Sequence, residues 1–336
     1  MDPFHEQTRA PRFRARLLGR QFEFETDSRE LRRLIEWAYA GLPAHRLPGA
    51  ASRVHVKLVL TGSRNRKAPS SAPKIDIFSG AELLGGASER SSLAIISPAT
   101  RSALIVVSRA MLRFAYEVRY ELIEFAVATL AARIQQLLPL HAACVGRGDR
   151  GLMLIGGSGA GKSTTSLHCL LAGMDFVSED SLLVTCRTLL ATGVANFLHV
   201  RRESLRFLPP LRAAALSRSP TIRRRSGVHK LEVDLRRSGL RLARAPLKIV
   251  GTVFLSPKAA GNGSLCSPLG SEEVRRRLIE TQPYAAGQSG WDQFSRRVAR
   301  LPAYELRRGR HPSESVAALD RILDAGARHA RRPSRT

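Results

Sequence analysis

Apolar and polar positions alternate over Val54-His55-Val56-Lys57-Leu58 and run on into apolar Val59-Leu60, the period-two pattern of a half-buried strand. Residues 21–25 and 74–78 read the same way, and 92–96 with 103–107 predict a hairpin across Ser97-Pro98-Ala99-Thr100. Between these strands the spacing changes. Asp27 to Glu30 forms a capping-box pattern ahead of Leu31, Leu34, Ile35 and Ala38, a helix that Gly41-Leu42-Pro43 stops. Residues 61–73 are polar, basic and proline-bearing, and predict an exposed loop.

The longest helical pattern covers 116–138, with Leu122, Phe125, Ala126, Leu130, Ile134 and Leu137 on one side and Pro139 as its stop. Two apolar strands follow, 141–145 and 151–155, joined by a turn. A helix carrying Leu167, Leu170 and Leu171 comes next, closed by Gly173. Strand-sized runs then stand at 175–178, 182–185 and 249–255. No internal repeat interrupts this order, and the basic end from Arg328 reads as disordered.

A length of 336 residues favours about two domains, and 43% apolar content is that of a globular chain. The expected division is a smaller α+β region over 1–138, an α/β domain over 139–327 and a tail over 328–336. No run approaches the ~18 apolar residues that span a bilayer, and the first 25 residues lack an apolar signal core. Cys144, Cys169, Cys186 and Cys266 are scattered without zinc spacing, so a cytoplasmic protein with reduced thiols is expected. A membrane is therefore not an expected partner.

The formal charge of +26 raises the question of nucleic acid. Lysine supplies only seven of the 54 basic residues, aromatic content is 6%, and no zinc-finger, RNP or basic-zipper pattern is present. Nucleic acid is not favoured as a partner on these grounds. The sequence leaves the oligomeric state open, a homo-oligomer included.

The chemistry is concentrated after the strand 151–155. Gly156-Gly157-Ser158-Gly159-Ala160-Gly161-Lys162-Ser163-Thr164 fits G-x-x-x-x-G-K-[ST] between an apolar strand and a helix. Glycines let backbone N–H groups close on phosphate oxygens, and the helix start adds its positive dipole. Lys162 is placed to reach the outer phosphates, and the Ser163 hydroxyl to meet Mg²⁺. Phosphoryl transfer also needs an acid for the metal and a group for the nucleophile's proton. Glu179-Asp180 stands at the end of the next strand, where ligands of strand–helix–strand units collect. Taken alone, His141 in Leu140-His141-Ala142-Ala143 reads as a core histidine.

His141, the glycine-rich loop and the acid pair, in that order and at short spacing, resemble the catalytic domain of HPr serine kinase/phosphorylase and related kinases of peptide-modification clusters. The likeness is specific over 140–184 and diffuse beyond. It implies an α/β P-loop kinase domain of the HPr kinase and PEP-carboxykinase-like type, preceded by the smaller α+β region. It implies ATP and Mg²⁺ as cofactors, with 156–163 on the phosphates, Glu179 as base toward an acceptor serine, Asp180 with Ser163 on the metal, and His141 tuning the base.

Two departures bear on the reaction. The first acid is Glu where the family commonly has Asp, so the two carboxylates could exchange roles. The family's Glu-(Ile/Val)-Arg-Gly segment corresponds to Phe197-Leu198-His199-Val200-Arg201-Arg202-Glu203-Ser204, which lacks the glycine; Glu203 is a further candidate metal ligand. HPr as substrate and the reverse phosphorolysis therefore do not carry over. Residues 201–244 hold thirteen basic against three acidic residues. Such a run is ordinarily a solvated face; the sharper alternative is that Arg223–Arg225 supply charge over the nucleotide as an arginine finger does, or grip an acidic peptide.

The sequence thus points to an ATP- and Mg²⁺-dependent kinase acting on a hydroxyl of a protein or peptide. The alternatives are a nucleotide-sensing regulator or scaffold that transfers nothing, and an ATP-dependent nucleic-acid binder. Label transfer from ATP separates the first from the second, and ATPase stimulation by DNA or RNA identifies the third.

Overall fold

The computed structural model describes residues 10–49, 53–62, 71–80, 82–88, 92–224, 226–237, 239–261 and 263–330, with backbone alone over 326–330. Most of the expected loop, 63–70, and the end of the basic tail, 331–336, lie outside these residues, as does Arg225. The chain divides into two compact units, Met1–Ala40 with Pro48–Gln135, and Gly41–Leu47 with Gln136–Thr336.

Among the described residues the first unit is built on a seven-stranded sheet in the order Arg12–Leu17, Arg20–Glu25, Arg53–Thr61, Ser102–Ser108, Ser92–Ser97, Leu83–Ser88, Ile75–Gly80. The alternation read from the sequence is a true two-faced pattern. Val54, Val56 and Leu58 are buried, while His55 and Lys57 between them are exposed. The hairpin forms with Ile96 opposite Ala103. Ser28, one residue later than the capping-box reading placed the start, caps the helix Arg29–Tyr39 by accepting from the Leu31 N–H. Leu31, Leu34, Ile35 and Ala38 form its buried side.

The helix expected over 116–138 is shorter and irregular. Ala115–Glu117 is followed by π-helical turns over Val118–Glu124 and an α-helix over Phe125–Gln135. Gln136 then takes a left-handed conformation, φ 52°, and Leu137–Leu140 is a strand of the second unit. Leu137 and Leu138 have helical spacing, but their burial comes from pairing with Thr185 and Val184. This strand ends its run of the sheet, where Pro139 and its missing N–H are tolerated.

The second unit carries a nine-stranded mixed sheet among the described residues. Its main path runs Asp175–Ser178, Ala142–Arg147, Arg150–Ile155, Leu247–Ala259, Leu190–Gly193, Leu182–Thr185, Leu137–Leu140. Arg150–Ile155 runs parallel to Leu247–Ala259 and antiparallel to Ala142–Arg147, to which Asp175–Ser178 is antiparallel in turn. The strands before the loop and before the acid pair therefore point the same way and end at one edge. A sheet covered on both faces explains the unbroken apolar runs. Leu152 and Leu154 enter one core with Leu167 and Leu170 of the helix Lys162–Leu171 and Leu319 and Leu323 of the helix Pro312–Ala330. Met153 and Ile155 enter the other, with Leu278, Phe294 and Val298. The helix Pro312–Ala330 continues through 328–330, where disorder was expected. Residues 41–47 are stitched into this unit by buried His45, whose ring nitrogens lie 2.8 Å from Thr192 Oγ1 and 2.8 Å from the Ala243 carbonyl. No helix among the described residues is long and apolar enough to cross a membrane.

Candidate active site

The strand Arg150–Ile155 delivers the chain into the glycine-rich loop under tight steric control. A Cβ on Gly156 would stand 2.8 Å from Ala160 Cβ and 3.1 Å from the Leu255 carbonyl oxygen, so no side chain fits. Gly161 has φ 104°, a left-handed geometry that favours glycine, and starts the helix Lys162–Leu171 without a side-chain cap. The first-turn N–H groups of that helix thus receive no acceptor from the cap residue. Lys162 is buried, curls back to donate to the Gly156 carbonyl, and lies 3.0 Å from His141 Nε2. Burial lowers its pKa, against the pull of Asp180 and Glu179.

Glu179 and Asp180 are chain neighbours with different surroundings. The Ser163 hydroxyl donates to Glu179 Oε1. The other oxygen accepts the His199 N–H at 2.7 Å, and Lys230 Nζ stands 3.7 Å from Oε1. Burial by itself would raise the pKa of Glu179; the His199 and Lys230 charges and the Ser163 hydrogen bond override it and hold it at about 2. Asp180 faces the open side, with His141 Nδ1 3.4 Å from Oδ1 and Arg224 donating to Oδ2 at 2.9 Å.

The sequence reading paired Glu179 with His141 and Asp180 with Ser163. The side chains pair the other way. Glu179 is 4% exposed and Asp180 20%, so the longer acid reaches inward under the first turn of the helix and the shorter one stays in the cavity.

His141 is fixed from behind. Its N–H donates to Gln282 Oε1 at 2.8 Å, and Gln282 Nε2 donates to its carbonyl at 3.2 Å. Partial burial lowers the imidazole pKa, with Lys162 and Arg224 adding to the effect and Asp180 opposing it. A neutral ring that accepts from Lys162 at Nε2 carries its proton on Nδ1, toward Asp180.

Together these groups line a cavity of about 570 Å³, with Gly157–Thr165, His141, Asp180, Arg224 and Lys230 on its walls. Gly156 and Glu179 lie behind that lining, in contact with Lys162 and Ser163. Thr164 Oγ1 is 2.8 Å from Ser204 Oγ, which ties the helix start to the segment Arg202–Phe207. Glu203 is an exposed residue of the cavity lining.

Three residues escaped the sequence reading. His199 and Glu232 stand opposite each other on the paired strands Phe197–Val200 and His229–Asp234, with His199 Nε2 3.2 Å from Glu232 Oε1. Burial lowers the His199 pKa, but its bonds to Glu179 and Glu232 win and the net shift is upward. Gln282 is the non-helical residue between the helices Ser271–Thr281 and Pro283–Ala286. The available signal was a His within the apolar strand Phe197–Val200 and a Glu within an alternating one, which mark buried polar groups in need of partners.

No family model matches the chain, and no curated protein matches it. Among solved structures the chain is similar to the HPr(Ser) kinase/phosphatase from Coxiella burnetii, with a TM-score of 0.29 and 12% identity over 57% of this chain and 91% of that one.

Proposed function

We propose that this chain is an ATP- and Mg²⁺-dependent kinase that transfers the γ-phosphoryl group to a hydroxyl, serine foremost, of a protein or peptide. On this reading the second unit carries the P-loop kinase domain of the HPr kinase type expected over 139–327. One observation carries the proposal: Ser163 and Glu179 form one polar pair, and His141 and Asp180 another, with Lys162 Nζ 3.0 Å from His141 Nε2.

The donor chemistry fits Mg²⁺. Ser163 and Glu179 offer hard oxygens, and no cluster of three or more His, Cys, Asp or Glu side chains suited to a metal exists among the described residues. Mg²⁺ is usually held by one or two protein oxygens plus phosphates and water. Bound there, it supplies charge neutralisation on the phosphate oxygens. Glu179, kept ionised by His199 and Lys230, holds the metal side, and Lys162 leaves Gly156 for the phosphates. Asp180 accepts the proton of the attacking hydroxyl, and His141 orients it through Nδ1. These roles exchange those that the family resemblance gave the two acids.

The test is incubation with γ-labelled ATP and Mg²⁺ together with candidate peptides encoded beside this chain, followed by mapping of the label. Label on a serine or threonine hydroxyl, absent with Lys162→Ala, is the expected result. Nucleotide binding without transfer to any acceptor would favour a regulator instead.

A further inference from the structure

Arg224 and residues 226–228 lie between the strands Thr221–Arg223 and His229–Asp234, which pair antiparallel. The Arg224 N–H donates to the Val228 carbonyl at 2.9 Å, and the Gly227 N–H to the Arg224 carbonyl at 2.8 Å. This hairpin puts one cation on each acid, Arg224 on Asp180 and Lys230 on Glu179. The two contacts differ in setting. Glu179 is buried, whereas Asp180 and Arg224 are 20% and 18% exposed at the wall of the cavity.

We propose that Arg224 has two working positions: on Asp180 in the free protein, and on the transferred phosphoryl group once ATP is bound. The proposal rests on the kinase reading above. A partly solvated Arg–carboxylate pair is weak, and the three oxygens of a γ-phosphate offer the guanidinium fork a stronger partner. Its departure clears Asp180 Oδ2 for the acceptor. In the step itself, the bond from γ-phosphorus to the β,γ-bridging oxygen breaks and the bond from phosphorus to the acceptor oxygen forms. The hydroxyl proton passes to Asp180, and ADP leaves. Arg224 thereby makes the base usable only when a γ-phosphate is present.

The two positions compete, so binding alone tests them. The probes are the non-hydrolysable analogue AMP-PNP and ADP, each with Mg²⁺, titrated by calorimetry against wild type, Arg224→Ala, Asp180→Asn and the double variant, with Arg224→Lys as a charge-retaining control and circular dichroism to confirm folding. Arg224→Ala should weaken AMP-PNP on the order of tenfold and leave ADP unchanged, because the fork meets only the γ-phosphate. Arg224→Lys should fall between Arg224→Ala and wild type. Asp180→Asn should tighten AMP-PNP by removing the rival, and this gain should vanish in the double variant. A gain that persists without Arg224 would show simple repulsion between Asp180 and the phosphate, and would overturn the proposal. So would equal AMP-PNP affinity in wild type and Arg224→Ala. Failure of wild type to bind either nucleotide would overturn the kinase reading beneath it as well.

Discussion

The Ser163 hydroxyl donates to the carboxylate of Glu179, a buried acid whose chain neighbour Asp180 faces His141 and Arg224 on the open side. From this one bond the division of labour in the cavity follows. Hydroxyl and carboxylate form a hard-oxygen pair under the start of a helix, and Asp180 is left on the open side with an imidazole.

Lys162 ties the glycine-rich loop to His141, because its ammonium lies against both the Gly156 carbonyl and His141 Nε2. Lys162→Ala should abolish nucleotide-dependent transfer. It should also raise the pKa of His141, since the Lys162 charge is one of the causes that lower it. An NMR titration of His141 in wild type and variant reads this directly. An unchanged His141 pKa would contradict the contact.

His199 bridges Glu179 and Glu232, and all three side chains are buried. His199→Phe removes the group that both carboxylates share and should cost about 3–5 kcal/mol in urea unfolding, the scale for breaking a buried charged pair. Adding Glu232→Leu should restore part of that loss. A single variant as stable as wild type would remove the triad from the stability of this unit.

His168 gives the protein a pH-dependent weakness outside the cavity lining. It is buried, and its Nε2 has no hydrogen-bond partner among the described residues. Burial first, then the neighbouring His311, depress its pKa from 6.5 to about 4. The unfolded chain then binds the extra proton between those values, so stability is present above pH 6.5 and is lost as pH falls toward 4. His168→Leu should flatten the melting temperature across that window. An identical slope in wild type and variant would assign the acid sensitivity elsewhere.

Gly156 tests the loop's geometry. The Cβ of Gly156→Ala falls 2.8 Å from Ala160 Cβ, so the loop must open or the strand must shift. The expected cost is about 1–3 kcal/mol of stability, with weaker AMP-PNP binding measured beside it. Full stability together with full affinity would show that the loop is slacker than its contacts imply.

Much of this architecture was legible because burial is written in periodicity. The stretch 54–58 alternates since one face of its sheet is covered, and Leu152–Ile155 does not since both are. The loop and the acid pair were legible as local patterns. What escaped depended on the third dimension. Leu137 and Leu138 keep helical spacing yet pair as a strand, because a left-handed Gln136 turns the chain and Val184 and Thr185 offer a better partner. The orientation of Glu179 and Asp180 was hidden because it depends on His199 and Arg224, 20 and 44 residues further on.

The acid pair itself carries the most direct test, a steady-state titration of transfer against Mg²⁺ with Glu179→Gln and Asp180→Asn. Glu179→Gln should raise the Mg²⁺ requirement, and Asp180→Asn should lower kcat by about 10²–10⁴-fold with the Mg²⁺ requirement near that of wild type. The opposite assignment, with metal dependence lost in Asp180→Asn and turnover lost at saturating Mg²⁺ in Glu179→Gln, would contradict the roles drawn from the Ser163–Glu179 and His141–Asp180 contacts.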